Sequence, residues 1–127
     1  MTGDFISPSD RRWSAALSAV EYDIYALPEY AELCAHNESA TPVAFYACEG
    51  DQYCLIPLLL RPLPHSLGAS ADWSDAASPY GYSSALFRGC AAWRSSTVKA
   101  FVHACRANRI VTAFIRLHPL LPKSLWN

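Results

Sequence analysis

Two short segments of the chain carry side chains able to bind a ligand or move a proton. The first is Asp75-Ala76-Ala77-Ser78-Pro79-Tyr80-Gly81-Tyr82. A carboxylate, a hydroxyl and two phenols on one turn can line a pocket and orient a polar substrate. The same residues also suit an ordinary β-turn with its tyrosines laid on the surface. The second segment is Phe114-Ile115-Arg116-Leu117-His118-Pro119. Arg116 and His118 share one face at the C-terminal end of a strand, a common ligand position in α/β sheets. A guanidinium fork there could hold a carboxylate or phosphate. An imidazole there could act as a general acid or base near neutral pH. The plainer alternative pairs Arg116 with an acidic residue from the first half of the chain and leaves His118 capping the strand. Asp75, Ser78, Tyr80, Tyr82, Arg116 and His118 are therefore the candidate substrate-binding residues, and no catalytic residue is singled out.

Other chemistries find little support. A phosphate cradle needs closely spaced glycines, and Gly3, Gly50, Gly68, Gly81 and Gly89 never occur as G-x-G. Zinc needs tight Cys or His pairs, whereas His36, His65, His103 and His118 lie far apart, so no metal is expected. Cys48 and Cys54 flank a hairpin turn. The simplest register sets residue 48 opposite 53 and 47 opposite 54, which points the two thiols to opposite faces and argues against a disulfide. Cys34, Cys54 and Cys105 fall on apolar stripes or runs and read as small buried hydrophobes.

The elements that must position these residues follow from periodicity. Ser7-Pro8-Ser9 reads as a turn with a helix cap, followed by Trp13, Leu17 and Val20 on one helical stripe. Pro28 suits the first position of a second helix, with Glu29 and Glu32 in its first turns and Tyr30, Leu33 and Cys34 as its apolar face. That helix should end near His36-Asn37. Val43 to Cys48 and Tyr53 to Leu60 form a hairpin around Glu49-Gly50-Asp51-Gln52. The returning strand is apolar on both faces, and Pro57 within it implies an edge or a bulge. Residues 65–79 read as a loop. A helix runs from Ala92 to Arg106 with Val98, Phe101, Val102 and Cys105 buried and Lys99, His103 and Arg106 facing away. Ile110 to Leu117 is a strand, followed by an apolar tail (Leu120, Leu121, Leu125, Trp126). The order helix, helix, hairpin, loop, helix, strand is mixed α/β, of the α+β kind, with a sheet flanked by helices. So strong a strand near the end would normally be covered on both sides, which suggests the front part of something larger.

Composition sets the bounds. The 127 residues are 52% apolar and 17% charged, which suits one globular domain over 1–127 and excludes a disordered chain. The longest apolar run, Tyr53 to Leu60, is too short to span a membrane, and the first twenty residues do not read as a secretory signal. An odd number of cysteines, none in a C-x-x-C pair, suggests reduced thiols and a cytoplasmic setting. Residues 1–60 carry two basic and nine acidic side chains, a balance of −7, and residues 61–127 carry eight and two, a balance of +6. A basic second half could meet an anionic ligand, or the two halves could fold together and cancel. The basic residues are dispersed and lack interleaved aromatics, so neither DNA nor another nucleic acid is an expected partner.

Four strings occur together in order: Asp23-Ile24-Tyr25-Ala26-Leu27-Pro28-Glu29-Tyr30-Ala31, Leu55-Ile56-Pro57-Leu58-Leu59-Leu60-Arg61, the turn Asp75 to Tyr82, and Ala113-Phe114-Ile115-Arg116-Leu117-His118-Pro119-Leu120-Leu121. Over residues 13–121 they resemble the front half of FemAB-type proteins of the GNAT acyltransferase superfamily. The resemblance implies a GNAT-like mixed sheet and transfer of an acyl or aminoacyl group to a small amine. The donor would be an acyl-coenzyme A or an aminoacyl-tRNA, with the Asp75–Tyr82 turn and Arg116/His118 lining the acceptor side. The glycine loop that such enzymes use for the donor pyrophosphate has no counterpart here. The expectation is therefore an incomplete, acyltransferase-like portion that is inactive alone and holds no cofactor itself. The alternative is a non-catalytic binding or interaction module on the same fold. Its expected partners are the missing half of the fold or a second copy.

Overall fold

The returning strand of the hairpin is the axis of the molecule. The computed structural model describes residues 2–68 and 72–121. It has an α+β architecture with a mixed six-stranded sheet and three α-helices among the described residues. The strands are β1 (Gly3–Ile6), β2 (Thr41–Glu49), β3 (Gln52–Pro62), β4 (Ser74–Ala77), β5 (Leu86–Arg88) and β6 (Ile110–Phe114). The helices are α1 (Arg11–Leu17), α2 (Pro28–Glu38) and α3 (Ala91–Ala107). The sheet order is β1-β2-β3-β4-β6, with β5 also paired to β3. All neighbours are antiparallel except β4 and β6.

Strand β3 is apolar on both faces because both faces are covered. Cys54, Ile56 and Leu58 join Phe45 and Ala47 of β2 in a core with Trp93, Phe101, Ala104 and Cys105 of α3. On the other face, Leu55 and Ala44 pack with Trp13, Ala16 and Leu17 of α1 and Ala31 of α2. Leu59 meets Cys34 and Ala35 of α2. Trp13 is anchored further by its indole N–H, which donates to the Ala26 carbonyl at 2.9 Å.

The register of the hairpin is the expected one, with Cys48 opposite Tyr53 and Ala47 opposite Cys54. Cys54 is buried, Cys48 is exposed, and all five cysteines are free. Pro57 is fully buried, and its position is neither an outer edge nor a bulge. On one side it pairs with Ala44. On the other, β5 covers Tyr53–Leu55 and β4 covers Leu59–Pro62, so residues 56–58 face a notch in the sheet. The Leu63 N–H donates to the Trp73 carbonyl, which sets the phase of the ladder. Odd-numbered residues of β3 then turn their backbone groups toward β4 and β5. The N–H that proline lacks would have pointed into the notch.

Several expectations are corrected. Asp10, not a serine, caps α1, its carboxylate accepting from the Arg12 N–H. Helix α2 buries Pro28, Ala31, Cys34 and Ala35, while Leu33 is 59% exposed, so small residues let the helix lie close to the sheet. In α3, Val98 and Val102 are exposed, and Trp93, Thr97 and Ala104 take the buried positions with Phe101 and Cys105. Strand β4 lies inside the stretch read as loop. Its Ser-Asp-Ala-Ala sequence has little strand propensity, and pairing on both sides imposes the conformation. Strands β1 and β5 are likewise short and carry no alternation to read. Strand β6 stops at Phe114 rather than Leu117, where β4 ends beside it. No helix among the described residues is long and apolar enough to cross a membrane. Leu125 and Trp126 of the expected tail lie outside the described residues.

The two faces of α2 make a direct test. Leu59→Ala, which empties a buried site against α2, should cost about 2–5 kcal/mol in urea denaturation. Leu33→Ala should stay within about 0.5 kcal/mol of the parent. Comparable losses would mean that α2 sits the other way round.

Candidate functional site

Between β4 and β5 the chain leaves the sheet at Ser78 and returns at Ala85. This excursion, residues 78–85, spans the notch opposite Pro57. Its shape depends on Arg116, which lies just past β6. The Arg116 Nε donates to the Gly81 carbonyl at 2.9 Å, and its Nη2 donates to the carbonyls of Ser78 and Pro79 at 2.9 and 3.0 Å. The backbone joins in: the Arg116 N–H donates to Ser78 Oγ, and the Ser84 N–H donates to the Arg116 carbonyl. The guanidinium also lies 5.7 Å from the centre of the Phe114 ring. The arginine is therefore paired with backbone carbonyls and not with an acidic residue.

The other side of the excursion rests on tyrosines. The Tyr30 hydroxyl donates to the Tyr80 carbonyl at 2.7 Å. Burial, aided by Cys34, pushes the Tyr30 phenol up to about 12, so it remains a donor. Gly81 has φ +95°, and a Cβ there would sit 2.5 Å from the Tyr25 ring. Only glycine meets both constraints. The Tyr25 ring packs edge-on against Tyr30 at 5.5 Å and against Tyr82 at 6.3 Å, and Tyr82 does the same with His118 at 6.2 Å.

His118 is buried and engaged at both nitrogens. Its Nδ1 accepts the Leu120 N–H at 3.1 Å, so the ring proton is on Nε2 and points to Asp23 Oδ2, 2.9 Å away. The bond from His118, with a second from the Ile24 N–H, holds the Asp23 carboxyl below the usual carboxylate range. Asp23 is thus an anion at neutral pH, and its side chain is 43% exposed.

Five of the six candidate residues meet in this region. Ser78 and Arg116 form its frame, His118 its buried end, and Tyr80 and Tyr82 its exposed rings, at 76% and 47% exposure. Asp75 stands apart on β4, where it pairs with Arg61 at 3.3 Å. Sequence reasoning missed Asp23, Tyr25 and Tyr30 as site residues. Their string was visible, but a contact across 95 residues leaves no local signal. Burial raises the thiols of Cys54 and Cys105, the latter to about 11, which suppresses their thiolates. Among the described residues no group of three or more His, Cys, Asp or Glu side chains could hold a metal ion. No family model matches the chain, and no curated protein or solved structure does either.

Two serines of the excursion should respond in opposite ways. Ser78→Ala removes the acceptor for the Arg116 N–H and should cost about 1–3 kcal/mol in urea denaturation. Ser83 Oγ is buried without a hydrogen-bond partner among the described residues, so Ser83→Ala should be neutral or stabilising in the same measurement. A large loss at Ser83 would reveal a partner for it. The acid limb gives a second test. Asp10 is held at about 2 by Arg12, and Asp23 is also held below its ordinary 3.8. Depressed carboxylates stabilise the fold above their unfolded values, and that contribution is lost as pH falls through the folded ones. Melting curves should therefore show stability falling below about pH 4, with a shallower fall in the Asp10→Asn/Asp23→Asn double variant. An unchanged slope would remove both groups from the acid response.

Proposed function

We propose that this chain is a non-catalytic binding module, built as the front portion of a GNAT-like acyltransferase fold, whose tyrosine surface receives a small amine as its ammonium ion. One observation carries the reading. Arg116, through Nε and Nη2, and His118, through both ring nitrogens, are engaged by the chain itself, while Tyr80 and Tyr82 stand open and Tyr82 lies against the His118 ring that binds the Asp23 carboxylate. Aromatic faces attract cations through their quadrupole, and a nearby anion adds to that attraction. A neutral polar solute gains neither effect. On this reading Ser78 and Arg116 hold the surface in shape, and Tyr25, Tyr80, Tyr82 and Asp23 make the contacts.

The acyltransferase portion of the proposal rests on the four ordered strings and on the expected helix, helix, hairpin order. Transfer needs a donor site, a group to take the amine's proton, and donors for the oxyanion. The glycine-opened donor loop is missing from the sequence, so an acyl-coenzyme A or aminoacyl-tRNA would be held by a completing half of the fold. One observation favours this second reading, transfer after completion. A carboxylate-oriented imidazole is the pairing a general base uses, and Asp23–His118 would supply it if the Leu120 N–H withdrew from Nδ1.

The test is a two-dimensional NMR titration with tetramethylammonium and, as a neutral match in shape, tert-butanol. Tetramethylammonium should shift the amides of residues 79–82 and the Tyr25 region. Tyr82→Leu and Asp23→Asn should each weaken the response several-fold, by about 1 kcal/mol. Equal responses to the two probes would overturn cation recognition. Acetyl-coenzyme A should give no heat in calorimetry, and micromolar binding would overturn the non-catalytic reading.

A further inference from the structure

Strand β1 lies at the edge of the sheet beside α3, where the Phe5 ring meets that of Phe101 edge-on at 6.4 Å. Alternation puts Gly3 on the α3 face with Phe5 and turns Asp4 to the opposite face, toward Arg12 of α1 at 3.9 Å. Between β1 and α3 runs an open groove of about 350 Å³, lined among the described residues by Thr2, Gly3, Ser96, Lys99, Ala100 and His103. A Cβ on Gly3 would run into the Phe45 ring, so bare backbone lines the groove there. The Tyr46 carbonyl stands beside Gly3, which sets the phase of the ladder. Tyr46 and Ala44 then exchange hydrogen bonds with Asp4 and Ile6, and Gly3 and Phe5 turn their N–H and C=O groups outward at the edge.

The groove offers positive charge and no carboxylate. Lys99 and His103 stand four residues apart on one face of α3, so their exposed side chains can reach the same group. Neither takes part in an ion pair among the described residues. The carboxylates of the neighbouring strands are held elsewhere. Asp4 faces Arg12, and Glu49 at the end of β2 accepts the Trp93 indole N–H at 3.1 Å. The Ser96 hydroxyl donates to the Ala92 carbonyl at 3.2 Å and presents lone pairs, not a proton. From Ala76 to the last residue the sequence has seven lysines and arginines and no aspartate or glutamate, so the wider field has the same sign.

The donors select the kind of anion. A planar carboxylate is best met by a guanidinium fork, and none lines the groove. Lys99 supplies a compact charge, His103 an N–H in either charge state, and Gly3 an outward backbone N–H. Three separate donors suit the three oxygens of a phosphate monoester, which also carries close to two charges at neutral pH. The volume lies in the range of small-molecule pockets and leaves room for an organic group along Ala100.

We propose that the β1–α3 groove binds a phosphate monoester, its phosphate held by Lys99, His103 and the Gly3 N–H. This site shares no residue with the tyrosine surface, and the proposal does not depend on amine binding.

The probes are phenyl phosphate, benzoate and phenol, titrated into the full chain and read by two-dimensional NMR. Phenyl phosphate should give saturable shifts at residues 2–3 and 96–103, move the Gly3 amide proton downfield, and bind more weakly as salt is raised. Benzoate should bind several-fold more weakly and phenol should leave these amides unmoved. Lys99→Gln and His103→Gln change exposed helix positions, so the fold should persist while each lowers phenyl phosphate affinity about twofold to fivefold. No saturable shift, equal binding of benzoate, or binding indifferent to both variants overturns the proposal. Sedimentation with phosphatidic acid vesicles, set against phosphatidylcholine vesicles, identifies the source of the phosphate. Sedimentation that phenyl phosphate competes away and Lys99→Gln weakens supports a lipid headgroup, and its absence beside phenyl phosphate binding supports a free monoester. Vesicle binding indifferent to Lys99 and His103, with no phenyl phosphate binding, would overturn the site.

Discussion

One guanidinium, from a residue outside any regular element, holds the most irregular part of the molecule in place. Residues 78–85 have no ladder of their own, and their carbonyls would otherwise turn toward water in many conformations. Arg116 collects three of those carbonyls with donors arranged in a rigid plane. Lysine has no such plane, and its flexible ammonium could not meet all three in the same geometry. The tyrosine rings, the left-handed Gly81 and the histidine–aspartate pair are all placed relative to that arrangement.

The excursion exists because the sheet is divided. Strands β4 and β5 lie on the same side of β3 but at different heights, and the chain must leave the sheet to pass from one to the other. Pro57 sits at the gap. In a continuous sheet its missing N–H would leave a partner unsatisfied. In the notch no strand among the described residues stands opposite, so a residue that looks misplaced in an apolar central strand has a compatible position. The same division places polar loop atoms next to the apolar core. Tyr30 and Ser78 meet part of that demand, and the buried Ser83 hydroxyl finds no partner among the described residues.

Strong periodicity was legible in the sequence. The hairpin register, the three helices and the double-faced burial of β3 follow from residue spacing, because each is set by neighbours within a few positions or by two-fold alternation. The errors share one cause. Leu33, Val98 and Val102 fit the apolar stripes as well as the residues that are in fact buried. Helix rotation is decided by what the sheet offers, and alanines allow a closer approach than larger side chains. Strand β4 has no intrinsic signal, since its conformation comes from two partners distant in sequence. The site was half legible for the same reason: Ser78, Tyr80, Tyr82, Arg116 and His118 cluster on two recognisable segments, whereas Asp23 reaches them only through the fold.

The notch also divides the sheet into two cooperative units. Strands β1, β2, β3 and β5 form one antiparallel ribbon with long ladders. Strands β4 and β6 form a short parallel pair whose strand ladder to that ribbon, among the described residues, runs through residues 59–62 of β3. Backbone amides in the pair are thus shielded from solvent isotope by a shorter ladder than those of the hairpin, with Ala76 and Ile110 tying the pair into the core under α3. The tyrosine loop bridges the two units, so its geometry reports whether they are closed together.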